Sequence, residues 1–205
     1  ATATFGELCF QGTLEEGRLF ADSVFTENVV IDGSTTDADS FMRLTADPNQ
    51  RHSGVAGTGP VIAPTVVGHG IEVIDDYTEV SWLEVTDWST DAGGSYDGIR
   101  LRANNLLVSH VIVHDDGRGA EQNSDANGIN LEESNVTATV RNSIVYSIAR
   151  AGISLWQRSG STLNVVNCTV YDCVQADNIP ASQGCLVVDG LNGEPASNLN
   201  LTHVI

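Results

Sequence analysis

Residues 138–145 read Ala138-Thr139-Val140-Arg141-Asn142-Ser143-Ile144-Val145, and the order of side-chain types in this stretch decides how the chain folds. An apolar residue, any residue and a second apolar residue are followed by two spacer residues, after which another alternating segment begins. The order occurs five times, with the second apolar residue at Val80, Val108, Val140, Val165 and Leu201. These positions are 28, 32, 25 and 36 residues apart, so the chain contains a repeat whose loops vary in length.

Each copy of the repeat is expected to bend at its two spacer residues. Side chains of a strand alternate between two faces, and the spacer pair interrupts that alternation. Both halves can therefore face one interior only if the chain turns at the pair. Asparagine and histidine enter the left-handed backbone region more readily than most residues, which predicts a left-handed bend at the second spacer residue. That residue is Trp82, His110, Asn142, Asn167 or His203.

A third short strand precedes each copy and follows a glycine. The four clear examples begin at Gly70, Gly98, Gly128 and Gly152, and the stretch Gly184-Cys185-Leu186-Val187 is a looser fifth. Three short strands in every 25 to 36 residues predict a parallel β-solenoid, in which one coil buries its apolar face only by stacking on the next.

The repeats over residues 70–205 resemble the right-handed parallel β-helix of the pectin-lyase-like superfamily, in which bend asparagines stack as a ladder. The resemblance implies an all-β chain of about six or seven coils with three short strands in each coil. It is specific for the fold but not for function, because the superfamily includes lyases, hydrolases, phage tailspikes and adhesins.

The two ends of the chain are less regular than the repeat. Residues 1–24 hold aromatic and leucine positions of uncertain period, and we expect them to form an N-terminal cap on a β-helix of residues 25–205. The last copy stops at Ile205, inside a predicted strand. We expect that incomplete coil either to continue in a longer protein or to be completed by another copy of the chain.

The charge of the chain restricts its partners. There are 27 acidic residues against 9 basic ones, a net charge of −18, and every basic residue except the histidines is arginine. Such a surface repels nucleic acid, and an acidic polysaccharide could dock only at a local basic patch or through a bridging cation. No apolar run approaches the roughly 20 residues of a membrane-spanning helix. We expect an extracellular or cell-surface protein that does not insert into membranes.

The four cysteines do not form a disulfide scaffold or a Cys-x-x-Cys motif. Cys168 occupies the same repeat position as Leu83 and Val111, which indicates a buried thiol. Cys173 and Cys185 stand on either side of one loop, where they either pair or remain free.

The loops after the third strands offer the best place for chemistry. We predict a groove between loops 86–97 and 114–127, with His114, Asp115, Asp116 and Arg118 as candidate catalytic residues of a polysaccharide lyase or glycoside hydrolase. The polygalacturonases of the superfamily carry a double aspartate followed by Gly-His-Gly. Here Gly68-His69-Gly70 precedes Asp115, the reverse order, and we interpret that match as accidental. Arg100 and Arg102 are interpreted as members of an ion-pair ladder with Glu72 and Glu132.

Calcium is the one cofactor that the sequence suggests, and the fold itself requires none. Asn123, Asp125 and Asn127 place oxygen-bearing side chains at alternate positions before Gly128, as short calcium loops do. The acidic residue at position twelve of such loops is absent, since Ser134 stands there, so a solvated acidic turn is the alternative.

Two classes of function therefore remain open. The first is a non-enzymatic extracellular β-helix module of a surface, adhesive or self-assembling protein, which contacts carbohydrate or another copy of itself. The second is a polysaccharide lyase or glycoside hydrolase acting in the groove of loops 86–97 and 114–127. The incomplete set of catalytic residues favours the first class.

Overall fold

The computed structural model describes residues 2–5, 13–88, 95–116, 126–156, 159–174, 184–189 and 197–205. These residues form strands, turns and loops that wind into stacked coils, and every strand pairing is parallel. No helix among them is long and apolar enough to cross a bilayer.

Sheet 1 holds the first strand of each coil. Its seven strands, in spatial order, are β1 (Thr2–Phe5), β4 (Asn28–Ile31), β7 (Ile71–Val73), β10 (Ile99–Leu101), β13 (Ile129–Leu131), β16 (Ile153–Trp156) and β19 (Leu186–Asp189).

Sheet 2 holds the second strand of each coil, and sheet 3 holds the third. Sheet 2 consists of β2 (Leu14–Leu19), β5 (Phe41–Ala46), β8 (Thr78–Ser81), β11 (Leu106–Ser109), β14 (Thr137–Arg141), β17 (Thr162–Val166) and β20 (Asn198–Thr202). Sheet 3 consists of β3 (Val24–Phe25), β6 (Val61–Ile62), β9 (Glu84–Val85), β12 (Ile112–His114), β15 (Ile144–Ile148) and β18 (Thr169–Cys173).

The coils number six with three strands each and a seventh with two among the described residues, which confirms the predicted six or seven coils. Strands β1 and β2 lie inside the segment expected to be a cap, and they pair with β4 and β5 in the same sheets as the later coils. Where the cap ends and the β-helix begins stays a prediction.

The interior is a set of apolar columns along the solenoid axis. The column predicted from the repeat pairs Val80 with Val108, Val108 with Val140 and Val140 with Val165, and it continues to Leu44 on one side. All five side chains are at most 1% exposed. Burying apolar area at every coil contributes about 25 cal/mol per Å² and stabilises the stack.

The bend residues adopt the predicted left-handed conformation. The φ angles are 61° at Trp82, 53° at His110, 51° at Asn142 and Asn167, and 49° at His203. Their side chains form a ladder: Trp82 and His110 stack with ring centroids 4.1 Å apart, and the amide of Asn167 donates to that of Asn142 at 3.4 Å.

The glycine position before sheet 1 differs from the prediction in the last coil. Ile153 pairs with Leu186, so Cys185, and not Gly184, follows Gly152 in the column. The alignment on Gly184 was wrong by one residue, because β19 begins at Leu186. A Cβ at Gly98, Gly128 or Gly152 would meet the carbonyl oxygen of the next coil, but among the described residues no strand pairs with the far side of β19, so Cys185 meets no such oxygen.

Cys173 and Cys185 are adjacent in the structure as free thiols. A Cβ on Gly152 would lie 2.8 Å from the Cys173 sulfur and 3.0 Å from the Cys185 carbonyl oxygen. Burial and then the hydrogen bond with Cys185 raise the pKa of the Cys173 thiol. The two side chains therefore share one site beside the core.

We expect oxidised glutathione to link Cys173 to Cys185, with both thiols oxidised and two molecules of glutathione released. A disulfide between Cys173 and Cys185 would close a loop of about a dozen residues and contribute roughly 2 kcal/mol to the free energy of unfolding. Peptide mapping under non-reducing conditions and urea unfolding measure the link and its effect. Cys168 is 2% exposed and serves as the internal control, because it should stay reduced in the folded protein. A Cys168 disulfide, or no Cys173–Cys185 peptide, would contradict the prediction.

Candidate functional site

The predicted groove lies at the corner where sheet 3 leads back to sheet 1. The structure describes residues 86–88 and 95–97 of its first loop and residues 114–116 and 126–127 of its second. Arg118, Asn123 and Asp125 lie outside the described residues. His114, Asp115, Asp116, Asp97 and Asn127 are described; His114 and Asp115 belong to one cluster, Asp97 and Asn127 to another, and Asp116 to neither.

The first group, which we call the histidine cluster, comprises Glu84, His114 and Asp115. The Nδ1 atom of His114 lies 2.8 Å from Asp115 Oδ2, and its Nε2 atom lies 3.0 Å from Glu84 Oε1. Glu84 is 4% exposed and also accepts a hydrogen bond from the backbone N–H of Gly57. The structure thus joins two predicted residues to a third that sequence reasoning missed.

The repeat alignment contained a signal for Glu84. Val85 pairs with Val113, so Glu84 and His114 stand on the same outward face of neighbouring strands, one residue to either side of that pair. Their side chains are therefore diagonal neighbours in sheet 3, within reach of each other.

The hydrogen bonds of the histidine cluster stabilise the charged forms of His114 and Glu84. Burial alone would lower the pKa of His114, but its hydrogen bonds to Glu84 and Asp115 outweigh burial and raise the pKa. Burial opposes ionisation of Glu84 as well, yet the hydrogen bonds from His114 and Gly57 hold the pKa of that carboxyl below its ordinary value. The cluster is an imidazolium between two carboxylates at mildly acidic pH.

The ring of His114 is the first of three stacked rings on the outside of sheet 3. It lies parallel to Tyr146 with centroids 4.8 Å apart, and Tyr146 lies parallel to Tyr171 at 5.1 Å. The stack and the two carboxylates hold the imidazole in one orientation. Tyr146 covers one of the two faces of the His114 ring.

Asp116 does not act together with Asp115 in the described arrangement. The Asp115 side chain is 55% exposed and bonds to His114, whereas Asp116 is 4% exposed and accepts a hydrogen bond from the Ala149 backbone N–H at 3.3 Å. One carboxylate faces solvent and the other is buried against backbone. A mechanism with two aspartates needs both at the substrate.

The second group, which we call the aspartate network, is centred on Asp97. This carboxylate is 1% exposed and accepts hydrogen bonds from Asn127 Nδ2 at 2.9 Å and Asn130 Nδ2 at 3.1 Å. Burial raises the pKa of Asp97 to about 6, against the opposing effect of the two amides. The Asn127 amide nitrogen thus donates to Asp97, and the calcium site predicted at Asn123, Asp125 and Asn127 stays a prediction.

His69 lies beside Asp97, although the Gly-His-Gly motif was interpreted as accidental. Its Nδ1 atom accepts a hydrogen bond from the Asp97 backbone N–H at 2.9 Å, and Arg100 lies 2.9 Å from its Nε2 atom. Burial first, and then the charges of Arg100 and Arg102, lower the pKa of His69 to about 3. A neutral imidazole has one acceptor nitrogen, so the two donors compete for it.

Arg100 and Arg102 form ion pairs between coils: Arg100 lies opposite Glu72 as predicted and also reaches Glu132 diagonally, whereas Arg102, predicted beside Glu132, reaches Glu72 diagonally. Arg100 lies 2.8 Å from Glu132 and 3.5 Å from Glu72, and Arg102 lies 3.3 Å from Glu72. These partners account for both arginines without catalysis. Within the described part of the chain, no group of three or more histidine, cysteine or acidic side chains has the arrangement of a metal site.

The outer face of sheet 2 is the open surface of the coils. Its central row, one residue from each strand, is Glu16, Arg43, Glu79, Leu107, Thr139, Asn164 and Asn200, and none of these is buried. The matching row of sheet 1 includes Asn130 and Ser154, which are 2% and 0% exposed. Sheet 2 therefore offers an accessible outer row in which every side chain except Leu107 is polar.

A hollow of about 210 Å³ opens beside this row, and we call it the arginine hollow. Three arginines line it together with Glu16, Glu79 and Trp82; they are Arg18, Arg43 and Arg51. Sequence reasoning missed them because they come from different segments, and Arg51 stands on a loop that the repeat does not cover.

Comparison with known proteins supports the fold. The family described as "Right handed beta helix region" matches residues 64–203. The crystal structure of pectate lyase Pel9A superimposes with a TM-score of 0.52 and 14% sequence identity, over 95% of this chain and 54% of that one. The chain thus spans about half the length of that lyase.

An alginate lyase from Paenibacillus sp. str. FPU-7 matches less well, with a TM-score of 0.31 and 12% identity over 90% of this chain and 94% of that one. No curated protein sequence matches significantly. At 14% identity the pectate lyase structure indicates the winding of the chain and not its chemistry.

Proposed function

Because this chain belongs to the family of right-handed β-helix regions, we propose that it is an extracellular module that contacts carbohydrate on the outer face of sheet 2. The fold is compatible with many functions, so the proposal rests on the surface of the molecule. The open row of hydrogen-bonding side chains along sheet 2 is the observation that carries it.

That row suits a polymer with a regular repeat. Neighbouring strands are about 4.7–4.9 Å apart, so the row presents one side chain at each such step along the axis. In the last three coils its members are Thr139, Asn164 and Asn200, and Asn200 donates to Asn164 at 2.9 Å. Hydroxyl and amide groups both donate and accept, as the hydroxyls of a glycan require.

The net charge supports this choice of partner over others. At −18 the chain is repelled by nucleic acid and by anionic lipid, whereas a neutral glycan carries no charge to repel. An acid-rich surface also keeps an extracellular protein soluble at high concentration.

We expect Asn164→Ala to weaken glycan binding by roughly five- to tenfold, because one central hydrogen-bonding partner is lost. The measurement is isothermal titration against a panel of soluble neutral and acidic polysaccharides. Thr26→Ala is the control, since Thr26 is exposed outside the three sheets and does not line the arginine hollow. The proposal fails if no polysaccharide binds the unaltered protein, or if both variants bind equally well.

A polysaccharide lyase or glycoside hydrolase is the second candidate function. It is favoured by Asp97, whose pKa of about 6 suits proton transfer near neutral pH, and by the nearby pair of His114 and Asp115. Against it, protein partners already occupy both nitrogens of His114 and both oxygens of Asp97.

We expect no turnover of uronate or neutral glycans, because neither cluster presents an uncommitted acid and base to solvent. The assay follows new reducing ends and the ultraviolet absorbance of unsaturated sugars. Turnover that is abolished by Asp115→Ala or by Asp97→Asn would establish the enzyme and overturn the binding module.

A further inference from the structure

We propose that the arginine hollow is a subsite for the carboxylate of an acidic sugar, so that sheet 2 prefers acidic oligosaccharides to neutral ones. The inference deepens the proposed function and rests on it. Glycan contact by sheet 2 can hold without this selectivity, but the selectivity requires the contact.

Positive charge gathers at the arginine hollow. Three of the nine arginines, Arg18, Arg43 and Arg51, line one hollow of a chain whose net charge is −18. An acidic ligand is repelled by most of such a surface and is attracted where cations gather. The lining contains two carboxylates, Glu16 and Glu79, so cations outnumber anions within it.

Arg51 has no acidic partner among the residues that the structure describes. Its guanidinium is exposed and lies over the indole of Trp82, with its central carbon 4.8 Å from the ring centroid. Trp82 is itself held by stacking on His110. The aromatic contact orients the planar guanidinium without using its hydrogen-bond donors, which stay available for a bidentate carboxylate.

Arg43 can exchange one carboxylate partner for another at a low cost in free energy. It lies 2.9 Å from Glu79 and 3.5 Å from Glu16, and all three side chains are partly exposed. Exposed ion pairs contribute about 0–1 kcal/mol, so a ligand carboxylate can replace one glutamate. Arg18 is similarly exposed and pairs with Glu16 and Asp47.

A second hollow continues the site toward the N-terminal ends of the sheet 2 strands. It measures about 180 Å³ and includes Phe41, Tyr77 and Leu107, and Glu79 lines both hollows. Aromatic and aliphatic side chains pack against the C–H faces of sugar rings. Cations on one side and apolar rings on the other fit an oligosaccharide with a carboxylate better than a small inorganic anion.

The test is isothermal titration with three probes: a uronic acid trimer, the neutral hexose trimer with the same linkage, and triglutamate. We expect the uronate trimer to bind about tenfold more tightly than either of the others at low salt, and the difference to shrink as salt rises. Arg51→Gln should remove most of that preference and leave affinity for the neutral trimer unchanged.

Arg141→Gln is the matched control. Arg141 is exposed on sheet 2, it aligns with Ser109 of the preceding coil, and it forms no ion pair with a described residue. The same charge is thus removed two coils beyond Ser81, which lines the hollow. A general effect of net charge would weaken uronate binding equally in both variants.

Glu79→Gln supplies a gain of affinity that loss of folding cannot imitate. Removing the carboxylate that occupies Arg43 should tighten uronate binding about three- to fivefold. Equal affinity for the uronate and neutral trimers, equal losses in Arg51→Gln and Arg141→Gln, or equal binding of triglutamate would overturn the subsite and leave glycan contact intact. Absence of binding to every saccharide would overturn the proposed function as well.

Discussion

Gly128→Ala should lower the free energy of unfolding by roughly 3 kcal/mol, the upper end of the usual cost of overpacking. A Cβ at this position would lie 2.5 Å from the carbonyl oxygen of Gly152 and 2.6 Å from a methyl of Val145. The Gly152 oxygen cannot move aside, because it accepts the backbone hydrogen bond of Ile129 at 2.9 Å. Urea unfolding followed by circular dichroism measures the loss.

Gly184→Ala is the control for that experiment. The nearest atom to a Cβ at Gly184 is the Leu186 carbonyl oxygen at 3.7 Å, which is an ordinary contact. We expect a change within about 0.5 kcal/mol. If both variants were destabilised alike, the cost would come from the alanine itself and not from the close approach of two coils.

Glu84→Gln should cost about 3 kcal/mol at pH 5.5, because it leaves the His114 imidazolium without its buried carboxylate. The pKa of His114 is raised in the folded protein, so its contribution is full below about pH 6.5 and is lost as pH rises through the folded pKa. The pKa of Glu84 is lowered, so its contribution is full above about pH 4.5 and is lost as pH falls through the folded pKa. Both contributions are full only between these limits.

The penalty of Glu84→Gln should therefore shrink toward pH 9, as the pH rises through the raised pKa of His114 and the imidazole loses its charge. Urea unfolding at pH 5.5 and pH 9 measures the difference. Glu27→Gln is the matched control, since Glu27 forms no ion pair with any residue in the described ranges. A penalty of the same size at both pH values would contradict a charged His114 and would point to packing alone.

Most of the coil geometry could be predicted from the residues. The Val140 column and the left-handed bend at Asn142 follow from alternation and from the conformational preference of single residues, which act within a few positions of the chain. The position of Cys185 could not be predicted, because the register of β19 depends on pairing with β16 and not on the glycine beside it.

The candidate sites were predicted only in part. His114 and Asp115 are neighbours in the chain, so their contact was foreseeable, whereas the opposite environments of Asp115 and Asp116 depend on what packs over each. The aspartate network joins His69, Asp97 and Asn127 from three successive coils. Each of them directly precedes the aligned glycine of its coil, so the repeat placed them in one column, but it did not show that Asp97 is buried or that its carboxylate accepts the Asn127 amide.

What the sequence determined by itself is the solenoid: alternation sets which side chains face inward, and the repeat sets how coils stack. The tertiary structure alone decided which outward face stays open and which polar residues meet on it. Arg18, Arg43 and Arg51 gather around Trp82 because the strands β2 and β5 pair in register and the loop after β5 returns to the bend. Outward side chains carry no periodic signal, since solvent accepts almost any residue there, and their neighbours are set by coils far apart in sequence.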